Sequence, residues 1–85
     1  MEENVIMYPV TTEKAVWMIE TQNSIQLIVR KDATKAQIKK SVEDEFQVKV
    51  DKVNVLITPR GMKKAIIKLK PEFKADDIAA KLKIA

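Results

Sequence analysis

The stretch from Val48 to Lys70 constrains the fold more than any other part of the chain. Val48 and Val50 alternate in one phase, whereas Val53, Val55 and Ile57 alternate in the other. Side chains on a strand point to its two faces in turn, so an unbroken strand would send these two sets to opposite sides. One extra residue accommodated as a bulge near Asp51-Lys52 returns both sets to one core. Pro59-Arg60-Gly61 then has the composition of a turn. From Lys64 to Lys70 the chain alternates again, with Ala65, Ile67 and Leu69 on the inward phase. The segment therefore predicts a bulged antiparallel hairpin closed by a short connection.

The remaining elements follow from local signals. Val5, Ile6 and Met7 precede Tyr8-Pro9, and the proline keeps Tyr8 out of helical angles, so residues 1–10 read as extended. Thr11 or Thr12 is placed to cap a helix, with Glu13 in its first turn, where a negative charge suits the helix dipole. Ala15, Val16, Ile19 and Trp17 supply the apolar side of that helix, which should end near Gln22-Asn23. Ser24–Arg30 reads as a strand, because Ile25, Leu27 and Val29 alternate with Ser24, Gln26, Ile28 and Arg30. Thr34 with Gln37 forms a capping box, and Ile38, Val42 and Phe46 follow on one stripe of a second helix. After the break at Pro71-Glu72-Phe73, Ala75–Leu82 reads as a last helix with Asp76 and Asp77 at its positive end.

This order (helix, strand, helix, strand, strand, helix) predicts an α+β fold. A right-handed strand–helix–strand crossover leaves room for the third strand between the first two. The expected sheet has three antiparallel strands in the order 1-3-2, with helices packed mainly on one face, an incomplete ferredoxin-like split β-α-β. With 85 residues, the chain is expected to form a single domain over 1–85.

Composition removes several classes of chemistry. The chain has no Cys and no His, so disulfides, thiolate or imidazole metal sites and histidine acid/base catalysis are excluded. Glu43-Asp44-Glu45 are consecutive on a helix and do not converge on one point, and there is no phosphate-cradling glycine loop. No catalytic residue, metal or cofactor is therefore expected. The acidic, polar N-terminus lacks the apolar core of a signal peptide, and no apolar run nears the roughly 20 residues of a membrane span. An intracellular protein without membrane insertion fits this pattern.

What remains is charge. Between Pro59 and Lys70 lie Arg60, Lys63, Lys64, Lys68 and Lys70 and no acidic residue. Lys64, Lys68 and Lys70 share the strand phase opposite Ala65, Ile67 and Leu69, with Arg60 and Lys63 at the tip. A rigid surface of this kind suits phosphate, because each neutralised phosphate releases condensed counterions. The competing explanation is a solvated sheet face whose lysines discourage edge aggregation, on a protein-interaction module. Lys14, Lys35, Lys39, Lys40, Lys49 and Lys52 form a second, scattered set, of which Lys49 and Lys52 flank the bulge. Tyr8 and Trp17 are candidates for stacking on bases, although a helical Trp more often packs. The sheet lacks the paired aromatics of an RNA recognition motif, so sequence-specific reading of a single strand is not expected there. Ile28, Leu56 and Ile66 fall on the polar phase of their strands, where they would form a small apolar patch, covered by the N-terminal segment or by a protein partner.

Several of these segments carry a family likeness. Tyr8-Pro9-Val10-Thr11-Thr12-Glu13-Lys14 resembles the Pro-x-x-Thr/Ser-Glu-Lys opening of the universal large-subunit ribosomal protein L23 family. Lys63-Lys64-Ala65-Ile66-Ile67-Lys68-Leu69-Lys70, with Ile78 beyond it, resembles that family's C-terminal signature. Ala33-Thr34-Lys35-x-Gln37-Ile38-Lys39 and Val50-x-x-Val53-Asn54 are similar as well. The subtype resembles the archaeal one: Pro59-Arg60-Gly61-Met62 closes the hairpin directly where bacterial members carry a long basic loop, and the basic N-terminal extension of eukaryotic members is missing. Lys83 stands where many relatives end the last helix with Gly.

The resemblance implies a structural protein that binds large-subunit ribosomal RNA beside the polypeptide exit, monomeric within the ribosome. Its implied neighbours are ribosomal protein L29, signal recognition particle and nascent-chain factors. The implied rRNA-binding residues are Lys14, Lys35, Lys39, Lys49, Lys52, Asn54, Arg60, Lys63, Lys64, Lys68 and Lys70. Thr12 and Glu13 match the motif whose acid faces trigger factor in bacterial relatives. Archaea lack trigger factor, so Glu13 would meet a different partner.

Overall fold

In a computed structural model, residues 5–82 are described, and the readings of Met1–Asn4 and of Lys83 fall outside them. The elements are β1 (Ile6–Pro9), α1 (Glu13–Gln22), β2 (Ser24–Val29), α2 (Lys35–Phe46), β3 (Val50–Ile57), β4 (Lys63–Leu69) and α3 (Ala75–Leu82). Local chemistry sets the helix ends. Of the two candidate caps for α1, the second is used: Thr12 is extended and its hydroxyl accepts the Ala15 N–H at 3.2 Å. Asn23 ends the helix in the left-handed region at φ 51°, which Asn reaches more easily than most residues. The capping box of α2 is complete: Thr34 Oγ1 accepts the Gln37 N–H at 3.2 Å, and Gln37 Oε1 accepts the Thr34 N–H at 3.0 Å. Such a cap contributes about 1 kcal/mol.

The sheet corrects the expected strand count. It has four strands, all antiparallel, in the order β1-β2-β4-β3. The three expected strands appear as β2, β3 and β4 with their predicted neighbours. The fourth, β1, pairs Ile6 with Val29, Tyr8 with Ile28 and Pro9 with Leu27, with an irregularity at Met7. A four-residue segment ending in proline is too short to show an alternating pattern, and it forms a strand because β2 offers it an edge. Pro9 is tolerated there because β1 is itself an edge strand.

The phase break in β3 resolves as a bulge. Val50 pairs with Leu69 and Lys52 with Lys68, which leaves Asp51 without an opposite residue. Val50 is thereby buried, and Val53 and Val55 pack against the same core. Ile57 departs from expectation and is 61% exposed. It lies on the last rung before the turn, opposite Lys63, past the reach of that core. In the turn, the Gly61 N–H reaches Thr58 O at 2.9 Å, the Thr58 N–H reaches Met62 O at 2.8 Å, and Thr58 Oγ1 accepts the Met62 N–H at 3.1 Å. Gly61 holds φ 80°, where a side chain would be strained.

The core joins Ile25, Leu27, Val29, Ala65, Ile67 and Leu69 of the two central strands to Ile38, Val42 and Phe46 of α2 and to Ile78 and Ala79 of α3. A second correction concerns β2. Ser24, Gln26 and Ile28, read as a polar face, are all buried. Gln26 donates its amide to Met18 Sδ of α1 at 2.9 Å, and the Ser24 hydroxyl donates to Gln22 O at 3.0 Å. Burial on both phases of β2 confines the open face of the sheet to β3 and β4, with Tyr8 at its far margin.

Candidate nucleic-acid interface

The bulge at Asp51 decides which residues of β3 look outward. In unbroken pairing, Lys52 and Asn54 would share the inward phase of Val50. After the bulge they face out together with Leu56. They stand on successive rungs with the outward residues of β4: Lys52 opposite Lys68, Asn54 opposite Ile66, and Leu56 opposite Lys64. Strand spacing puts neighbouring rungs of this face about 7 Å apart and paired residues about 5 Å apart. Lys70 continues the same phase just beyond β4, where its N–H bonds Lys49 O at 3.1 Å and brings Lys49 to the same end of the hairpin. Arg60 is exposed in the turn.

Two features of this surface bear on function. Lys52 and Lys68 are exposed, and like charges directly opposite one another destabilise a strand pair. Neither is neutralised: among the described residues, no carboxylate pairs with Lys52, Arg60, Lys64, Lys68 or Lys70. An anion seated between them would relieve the repulsion.

Other predicted site residues are placed differently. Lys63 lies on the opposite phase to Lys64, and its ammonium donates to the carbonyls of Ala33 and Lys31. It holds the β2–α2 connection, so two of its three donors are already engaged. Lys35 and Lys39 are exposed on α2, whose buried stripe packs on the inward side of the sheet; they sit apart from the outer hairpin face. Lys14 is exposed on α1 beside Thr12 and Glu13. Thr12 spends its hydroxyl on the helix cap, whereas the Glu13 carboxylate is open to solvent.

Two aromatic residues behave contrary to their ordinary roles. Trp17 is 52% exposed on α1 instead of packing. Tyr8 is 44% exposed, and its pairing with Ile28 puts it on the same outward phase as Lys64 and Leu56. The signal for Tyr8 was present only as Tyr-Pro in an extended segment; the strand that orients the ring was not legible.

Among the described residues, no group of three or more acidic, His or Cys side chains is placed to hold a metal ion. No helix among the described residues is long and apolar enough to cross a membrane. The arrangement can bind an anionic polymer. A sequence model of the family described as ribosomal protein L23 matches residues 4–77, which takes in β1, the Thr12-Glu13-Lys14 start of α1 and the whole basic hairpin. The chain therefore belongs to the ribosomal protein L23 family, structural constituents of the large ribosomal subunit and not enzymes.

Proposed function

We propose that this chain, as one domain over 1–85, binds large-subunit ribosomal RNA through the outer face of the β3–β4 hairpin. Lys52, Asn54, Lys64, Lys68 and Lys70 form the contact, with Lys49 at its open end and Arg60 at its tip. The observation that carries this reading is the unneutralised rung of Lys52 against Lys68, both exposed on the part of the outer face that α1, lying over β2, leaves open. A merely solvated surface would gain stability by replacing either lysine with an acid; a phosphate-binding surface requires both. Lys14, Lys35 and Lys39 contribute separate, weaker phosphate contacts from the helices. Lys63 adds its remaining donor and chiefly holds the hairpin against the loop before α2.

Family membership supports a place beside the polypeptide exit, next to ribosomal protein L29, in a monomeric state within the cytoplasmic ribosome. Thr12 and Glu13, at the exposed start of α1, then form a docking point for signal recognition particle and other nascent-chain factors. The short Thr58–Met62 turn supports the archaeal subtype, since the hairpin carries no loop long enough to enter the tunnel.

The test is the salt dependence of binding to a large-subunit rRNA fragment. Arg60→Ala with Lys64→Ala should weaken binding and reduce the slope of log K against log salt by about two phosphate equivalents. Equal affinity and equal slope in the variant and the parent chain would remove the hairpin from RNA binding.

A further inference from the structure

The outer face is not uniformly basic. At the bulge end it carries Lys52, Lys68 and Lys70. Toward the turn the rungs become apolar around a single cation: Leu56 faces Lys64, Ile66 lies one rung away, and Ile28 separates Lys64 from Tyr8. Tyr8 donates its hydroxyl to Met62 Sδ at 3.6 Å, which braces the phenol from the hairpin side while much of the residue stays open. Leu56 is also exposed and Ile66 is half-buried. An aromatic ring held at one end, an apolar floor and an adjacent ammonium are what an unpaired nucleotide requires: a π-face for the base, apolar surface for the sugar and a cation for its phosphate.

We infer that Tyr8, with Lys64, Leu56, Ile66 and Met62, forms a stacking site for one unpaired nucleotide of RNA. The inference rests on the proposed RNA-binding role of the hairpin and adds the kind of RNA that its turn end takes. The basic end of the face meets backbone phosphates of any RNA, whereas the Tyr8 end meets a base already out of its helix. Charge favours this occupant over an apolar protein segment, because Lys64 lies inside the patch and Arg60 beside it, neither matched by a described carboxylate. The site has one ring and no second aromatic on the neighbouring strands, so it accepts bases without reading their sequence. It is also a site that β1 creates: without the Tyr8–Ile28 pairing, the ring would not lie on this face.

The test compares two probes, a fluorescein-labelled oligouridylate, which is unstacked, and a fluorescein-labelled RNA duplex, by anisotropy with the full chain. Tyr8→Leu keeps apolar bulk and removes the π-face. It should weaken oligouridylate binding by about 5- to 100-fold, with the salt slope and duplex affinity unchanged. Tyr8→Phe keeps the ring and should bind both probes as the parent chain does, which also controls for folding. Unchanged oligouridylate affinity in Tyr8→Leu would overturn the site, as would an equal loss for both probes or a Tyr8→Phe variant as weak as Tyr8→Leu. Lys64→Ala with Lys68→Ala separates the two levels. If it weakens both probes and flattens the slope while Tyr8→Leu does nothing, the hairpin reading stands and the stacking site falls. If neither variant changes anything, both fall. A dimer in sedimentation velocity that Tyr8→Leu dissociates, with RNA binding untouched, would give the patch to a second copy of the chain and overturn the proposal.

Discussion

Asn23 ties three elements together, and its replacement gives a quantitative test of the fold that presents the hairpin. Its backbone closes α1 in the left-handed region at φ 51°, and its carbonyl accepts the Leu69 N–H of β4 at 3.2 Å. Its side chain accepts the Ala75 N–H at the start of α3 at 2.7 Å and donates to Phe73 O at 2.8 Å. Asn23→Ala removes a helix cap, a loss of about 1 kcal/mol. It leaves the partly buried Phe73 carbonyl short of a donor, about another 1 kcal/mol. It also puts a Cβ without a compensating polar group in the left-handed region, roughly 1 kcal/mol more. The sum is about 3 kcal/mol, equivalent to a fall in Tm of roughly 12–24 °C for a domain of this size. Asn23→Gly loses the same two hydrogen bonds and escapes the backbone strain, so it should cost about 1 kcal/mol less. Asn23→Asp keeps the acceptor for Ala75 and should fall between Ala and the parent chain. Thermal unfolding followed by circular dichroism measures all three. A Tm for Asn23→Ala within a degree or two of the parent, or Asn23→Gly less stable than Asn23→Ala, would refute the reasoning.

Three more outcomes follow from named contacts. Lys63→Ala should cost about 1–2 kcal/mol in urea unfolding, through its bonds to Lys31 and Ala33, and leave rRNA affinity nearly unchanged, whereas Lys64→Ala should do the reverse. Thr34→Ala opens the capping box and should lower stability by about 1 kcal/mol in the same assay. Deleting Asp51 removes only the bulged residue and keeps Val50 opposite Leu69 and Lys52 opposite Lys68, so the chain should still fold, whereas deleting Asp51 and Lys52 together sets Val53 and Val55 out of phase with Val50 and should abolish the folded circular dichroism spectrum.

The parts of this fold that the sequence disclosed are those where one physical rule acts over a few neighbouring residues. The capping box at Thr34 and Gln37, the Ile38–Val42–Phe46 stripe and the helix at Ala75–Leu82 each depend on local spacing. The bulge was legible because two valine sets of opposite phase cannot both reach a core without one. What stayed hidden depends on partners distant in the chain. β1 exists because β2 has an open edge, and nothing in the four residues from Ile6 to Pro9 announces that edge. Ile28 and Gln26 are buried because α1 and β1 cover the second face of β2, which an alternating pattern cannot foresee. Lys63 and Lys64 are adjacent and chemically identical in sequence. Only the carbonyls of Lys31 and Ala33, thirty residues away and more, distinguish a bracing lysine from an exposed one.

The central claim is that the outer face of the hairpin lies against ribosomal RNA, and the absence of cysteine from the chain makes a direct test possible. Asn54→Cys places a single thiol in the middle of the outer face, and Lys40→Cys places one on the exposed side of α2. Each is loaded with tethered iron-EDTA and assembled with large-subunit rRNA, and hydroxyl-radical cleavage is mapped. Strong, localised cleavage from position 54 and weak or diffuse cleavage from position 40 is the predicted result. Strong cleavage from position 40 with none from position 54 would contradict the account.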